Sequence, residues 1–179
     1  KGANMNLQDS NGNVPIAFAA NGGQTNTAVY EAFFQAGLDP KQKYKDGATL
    51  LLFAIANDKD FSLTNYLTSK GLSLKDVDAN GNTAFNYAAK TANVALLKSL
   101  VQKGVKFTDN ALIMAAQGSR RGSNTLEVFQ YLVDDLKLNP AFSDKEGENV
   151  LHSLVRRPNQ TELVKYFLAK GVDGNKANA

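Results

Sequence analysis

Asp78-Ala79-Asn80-Gly81-Asn82-Thr83-Ala84-Phe85-Asn86-Tyr87-Ala88-Ala89, followed by Val94, Leu96, Leu97, Leu100, Val101 and a closing Gly104, is the stretch that decides the fold. A Gly-containing turn leads into a short helical pattern with small apolar residues. A second helical pattern follows, with an i, i+3, i+4 stripe at Leu97, Leu100 and Val101, and a glycine ends it. Each helix spans two to three turns, too short to be stable alone in water. Its apolar stripe must be buried against something else.

Working outward, the same pattern recurs. Turn glycines stand at Gly12, Gly47, Gly81 and Gly147, separated by 35, 34 and 66 residues. Helix-ending glycines stand at Gly2, Gly37, Gly71, Gly104 and Gly171, separated by 35, 34, 33 and 67. Two glycine series sharing one period define a repeat of about 33 residues, and stacked units bury the stripes that single units cannot. The expected units run over about 9–43, 44–76, 77–108, 109–142 and 143–179. Residues 1–8 read as the tail of a preceding unit, so the expectation is a piece of a longer chain. The fourth unit departs from the others. Gly104 is followed after seven residues by Ala111, so the turn is lost, and residues 118–124 form an insertion before a second helix at Leu126–Val133.

The turn and first helix resemble the ankyrin repeat family, whose pattern is D-x-x-G-x-T-P-L-H-x-A-A. Asp78, Gly81, Thr83, Phe85, Ala88 and Ala89 carry it in one unit; Asp9, Gly12, Pro15, Ile16, Ala19 and Ala20 in another; Asp144, Gly147, Leu151 and His152 in a third. No unit has the full Thr-Pro-Leu-His tetrapeptide, so the copies are divergent. The resemblance implies an all-α solenoid of stacked helix-turn-helix units with β-turn finger loops. It also implies a non-catalytic module that binds another protein, or a neighbouring domain, through the concave surface of finger tips and first-helix ends. Carrying the family's variable positions over gives Asn11, Asn13, Lys45, Asp46, Asn57, Asp58, Asn80, Asn82, Lys90, Glu146 and Glu148 as partner-binding candidates, and Gln117 joins them at the start of the long loop 117–124.

One cluster adds to these. Arg120 and Arg121 lie in the insertion, and Arg156 and Arg157 lie at the corresponding place one unit on. Four guanidinium groups at one edge call for an anionic answer, from Glu127, Glu162 or an acidic segment of a partner. The alternatives are a regulatory or substrate-docking domain of a larger enzyme, or an anionic-ligand site at this Arg edge.

Other chemistry finds little support in the residues. The formal charge of +3 does not argue for nucleic acid, and no apolar run reaches the roughly 20 residues of a membrane span. The chain has no cysteine, which removes disulfides and thiolate chemistry. Asp76-Val77-Asp78-Ala79-Asn80-Gly81 imitates the start of a calcium loop, but position twelve is Tyr87 in place of Glu, so a structural turn is expected and no metal or cofactor. The single histidine, His152, is expected to brace a neighbouring loop. Phe18, Phe53 and Tyr87 share one repeat position and are expected in the core between units. Val29, Tyr30, Phe33, Phe34, Tyr166 and Phe167 are expected to leave some apolar surface exposed in the outer units.

Overall fold

The computed structural model describes residues 4–10, 13–58, 60–118 and 124–179. Ten α-helices follow one another among them: α1 (Pro15–Asn21), α2 (Thr27–Gln35), α3 (Leu50–Ala54), α4 (Ser62–Ser69), α5 (Ala84–Ala89), α6 (Val94–Gln102), α7 (Asn110–Gln117), α8 (Leu126–Gln130), α9 (Val150–Val155) and α10 (Thr161–Ala169). The chain forms two compact units, Lys1–Tyr87 and Ala88–Ala179.

In the N-terminal unit α3 packs against α1 on one side and α4 on the other. Ile16, Ala20, Leu50, Leu51, Ile55, Leu63 and Leu67 fill that interior. In the C-terminal unit α7 packs against α8 and α9, and α9 against α10. Phe129 and Phe167 meet there edge to face at 5.1 Å, both fully buried. First helices carry small residues in the interior: Ala17 and Ala20, Ala54, Ala88 and Ala89, Ala111, Ala115 and Ala116 are all buried. Of the six residues expected to leave some apolar surface exposed, Tyr30 and Phe167 are interior, and Tyr30 Oη donates to Gln24 O at 2.6 Å. Val29, Phe33, Phe34 and Tyr166 are half-buried.

The glycines at the helix ends have a local reason. Gly37, Gly71, Gly104 and Gly171 all take positive φ, and the next residue is apolar and buried: Leu38, Leu72, Val105 and Val172. Each of those residues donates its N–H five residues back, as Val105 does to Leu100 O at 3.0 Å. This is the Schellman arrangement, which satisfies helix-end carbonyls while an apolar contact seals the turn.

The second helix of the expected fourth unit breaks the pattern in an instructive way. The helix-ending glycine lies eleven residues beyond the N-cap in α2, α6 and α10, and ten beyond it in α4. From Thr125, the N-cap of α8, to Lys137 the span is twelve. The surplus residue is absorbed as a π-helical turn at Tyr131–Asp135, so the helical stretch passes the expected end at Val133. Leu138 N then reaches six residues back, to Leu132 O at 3.0 Å. Lys137 takes the glycine's place with φ of 60°. A side chain there strains the backbone, so Lys137→Gly is expected to raise stability by about 1 kcal/mol. The gain is reduced by whatever the Lys137 Nζ–Asp134 O bond contributes. Urea unfolding of the two proteins measures the difference; an unchanged or lower midpoint counts against the strain.

Candidate partner-binding surface

The aspartate that opens each finger organises it. Asp78 is buried, and its Oδ1 accepts from Asn80 N and Asn82 N, each at 2.8 Å. Its Oδ2 accepts from Asn82 Nδ2 at 2.8 Å and Tyr87 Oη at 3.1 Å. Asp144 accepts from Glu146 N at 3.0 Å and Glu148 N at 2.8 Å, and Asp9 from Asn13 N at 2.8 Å. Backbone pairing closes the turns, Asp78 N to Asn82 O at 3.1 Å and Asp144 N to Glu148 O at 2.9 Å. Antiparallel bridges Val77–Thr83 and Ser143–Asn149 flank them. The calcium-like sequence is thus a turn whose carboxylate oxygens already hold the turn's own donors. Burial and the Asp78 charge push the Tyr87 phenol well above its ordinary range.

The first helix is capped from the finger's far side. Asn149 and His152 form a capping box: Asn149 Oδ1 accepts from His152 N at 3.3 Å, and Asn149 N donates to His152 Nδ1 at 3.1 Å. His152 therefore braces the start of its own helix, correcting the expected bond to a neighbouring loop. At Thr83 and Asn86 the same positions carry the bond from Thr83 Oγ1 to Asn86 Oδ1 at 2.9 Å.

Fingers also pair with one another. Ala79 N donates to Asp46 O at 2.8 Å in the N-terminal unit. In the C-terminal unit Ala179 N donates to Glu146 O at 2.9 Å, thirty-three residues on, in the same geometry. Asn178 Nδ2 adds a bond to Glu148 Oε1 at 3.3 Å.

Against this frame the sixteen candidates separate. Lys45, Asp46, Asn80 and Glu146 are exposed on finger turns, Gln117 is exposed at the end of α7, and Lys90 is half-buried after α5. Asn13 is half-buried with its amide on Asp9, and Asn57 is half-buried with Nδ2 donating to Asn21 O at 3.4 Å. Two are not surface residues. Asp58 is fully buried, accepting from Leu63 N at 3.2 Å and Thr64 N at 2.5 Å at the start of α4. Asn82 is buried against Asp78. Neither reaches a partner's surface: Asp58 satisfies backbone donors inside, and the Asn82 amide is spent on the buried Asp78 carboxylate. Asn11, Arg120 and Arg121 lie outside the described residues.

Of the arginine edge, Arg156 and Arg157 are answered within the protein. Arg156 Nη1 donates to Glu148 Oε2 at 3.0 Å, and its Nη2 pairs with Glu148 Oε1. The Glu148 carboxyl is held below its ordinary range, first by this bond, while Arg156 is raised by it. Arg157 Nη1 donates to Gln117 O at 3.0 Å and Asn124 Oδ1 at 3.3 Å, closing the carbonyl end of α7. Glu148 takes the role expected of Glu127 or Glu162.

Phe18 also corrects an expectation: it is 57% exposed on α1, while Phe53 and Tyr87 pack edge to face at 6.0 Å. Val155 is 68% exposed, although Ala20, Ile55, Ala89 and Ala116 are buried at the same repeat position. Sequence periodicity missed a feature of the second helices. Tyr66 Oη and Lys70 Nζ both contact Glu31, the latter at 2.7 Å, and Tyr166 Oη and Lys170 Nζ both contact Asp134, at 3.0 and 2.5 Å. Both acids are held below their ordinary range, mainly by their lysine.

Short helix pairs joined by Asp-anchored turns, repeated at a 33-residue period, define a helical repeat protein whose exposed chemistry lies on turn tips. The ankyrin repeat profile, in three copies, matches residues 19–111, and the chain belongs to this family. It is also similar to the phosphocholine transferase AnkX of Legionella pneumophila subsp. pneumophila, 30% identical over 142 residues. The alignment takes in 73% of this chain and 14% of that protein. Among the described residues no helix is long and apolar enough to cross a membrane.

Proposed function

We propose that this chain is a non-catalytic protein–protein interaction module that holds its partner on the finger tips and first-helix ends. Five units over about 9–43, 44–76, 77–108, 109–142 and 143–179 would supply that surface, with 1–8 as the tail of a preceding one. The observation that carries the reading is the finger geometry. Asp9, Asp78 and Asp144 engage their carboxylates on backbone donors inside the turn, which pre-organises the exposed residues beside them. A surface ordered before binding loses less conformational entropy on association. Lys45, Asp46, Asn80, Gln117 and Glu146, with the exposed ring of Phe18, are the proposed contacts. Asn13, Asn57 and Lys90 stand beside them, and Arg120, Arg121 and Asn11 are retained on sequence grounds. An acidic segment of the partner would have to displace Glu148 to reach Arg156, which weakens the anionic reading of that edge.

The second reading, a docking or regulatory domain of a larger enzyme, draws support from the similarity to part of AnkX, itself a phosphocholine transferase. Both readings place recognition on the same tips. The triple variant Lys45→Ala/Asn80→Ala/Glu146→Ala is expected to keep its helical circular dichroism and melting temperature while losing at least about tenfold in affinity for proteins captured by the intact chain. Unchanged affinity for every captured protein would remove the tips from the proposal.

A further inference from the structure

A cleft of about 380 Å³ opens in the N-terminal unit between residues 41–49 and residues 71–77. It is made by two equivalent stretches of chain, each running from a helix end towards the next finger. Lys41 and Lys75 occupy the same repeat position, 34 residues apart, and Lys43 adds a third ammonium group. The Lys41 chain lies across bare backbone at Gly71, where a Cβ would come within 2.5 Å of Lys41 Cε. Leu72 and Val77 supply apolar wall, Val77 being 44% exposed.

The charge of this cleft is uneven. Among the described residues no carboxylate lies within 4.0 Å of the ammonium groups of Lys41, Lys43 or Lys75, whereas Lys70 and Lys170 in the same fold have acidic partners. The one acid lining the cleft, Asp76, accepts from Ser73 N at 3.1 Å through Oδ2. Thr49 also lines it. Its residue is 5% exposed, and its Oγ1 is buried with no hydrogen-bond partner, although hydroxyls at such positions are ordinarily satisfied. Three cations against one anion, a hydroxyl without a partner and an apolar wall suit a ligand with a compact dianionic head and a small organic body.

We propose that this cleft binds a small phosphate monoester, its phosphate held by Lys41, Lys43 and Lys75 and its organic part against Leu72 and Val77. A phosphate monoester carries a charge of about −1.5 to −2 near neutral pH, close to the excess positive charge of the walls. The site goes beyond partner binding on the finger tips and does not depend on it.

Phenyl phosphate and inorganic phosphate serve as probes, titrated into the whole chain and followed by calorimetry and amide chemical shifts. Phenyl phosphate is expected to bind saturably with Kd of about 1 mM or tighter, and more tightly than inorganic phosphate. Lys41→Ala/Lys75→Ala is expected to weaken it at least about tenfold, and Thr49→Val to weaken it with little change in melting temperature. Lys106→Ala/Lys176→Ala removes the same charge elsewhere and is expected to leave binding intact. Absence of saturation, or equal loss in the control pair, would overturn the site as general charge attraction. Tighter binding of a phosphotyrosine peptide would assign the phosphate to a protein partner and overturn the small-molecule reading.

Discussion

Gly118→Ala is expected to lower the unfolding free energy by about 2–4 kcal/mol, a large effect for the addition of one methyl group. Gly118 caps α7 with φ of 63° and ψ of 179°, a region open essentially to glycine alone. It donates its N–H to Met114 O at 3.1 Å and Ala115 O at 3.0 Å, so the helix end depends on this conformation. The space is also taken. A Cβ at this position would lie 1.6 Å from Arg157 Nη1 and 2.8 Å from Arg157 Cζ. Arg157 would have to leave Gln117 O and Asn124, which it now holds. Urea denaturation of Gly118→Ala, Arg157→Ala and the double variant separates the two causes. Strain persists in the double variant, while the clash disappears, so the double variant is expected to be less destabilised than the sum of the singles. Strict additivity would show that the guanidinium moves aside without cost.

The other large effect belongs to Asp78. Asp78→Ala removes the acceptor of four hydrogen bonds and leaves Asn82 N, Asn82 Nδ2 and Tyr87 Oη without their partner in a part-buried turn. A loss of about 3 kcal/mol is expected, because stranding a buried donor costs its full desolvation. Asp144→Ala makes the same change in a more exposed finger with two backbone bonds to the carboxylate, and about 1–2 kcal/mol is expected. Thermal and urea unfolding of both variants measures the ranking. Equal losses would mean that the turn, and not the burial of its aspartate, decides the cost.

These two positions mark how far the residues could be read directly. Asp78 was legible because its role is local: a carboxylate two and four residues from the N–H groups it accepts makes the same turn wherever the spacing recurs. The Schellman glycines were legible for the same reason, and Lys137 shows the limit. Its place is found by counting 33 residues from Gly104, but the π turn that brings it there depends on the packing of Tyr131, Leu132 and Val133 in the interior.

Site residues were read less well, and the misreadings have one cause. Variable positions are identified by repeat phase, and phase says which side of the turn a residue is on without saying what it meets there. Asp58 and Asn82 carry polar side chains at such positions, and both are interior: Asp58 accepts from backbone donors of α4, and the Asn82 amide donates to the buried carboxylate of Asp78. Arg156 and Arg157 looked like an unanswered charge because Glu148 lies eight residues from Arg156, and Gln117 forty residues from Arg157. The lysine cleft was invisible for a related reason. Lys41 and Lys43 lie more than thirty residues from Lys75, and only the fold brings residues 41–49 beside residues 71–77.

By itself, then, the sequence determined the period, the finger turns, the helix ends and the family, since each rests on contacts among residues close in the chain. Tertiary structure alone decided which polar groups are buried, which charges are already paired, where Phe18 and Val155 emerge, and that three lysines line one cleft. Those outcomes depend on burial and on which groups meet in space, at separations from four residues for Asn82 and Asp78 to forty for Arg157 and Gln117.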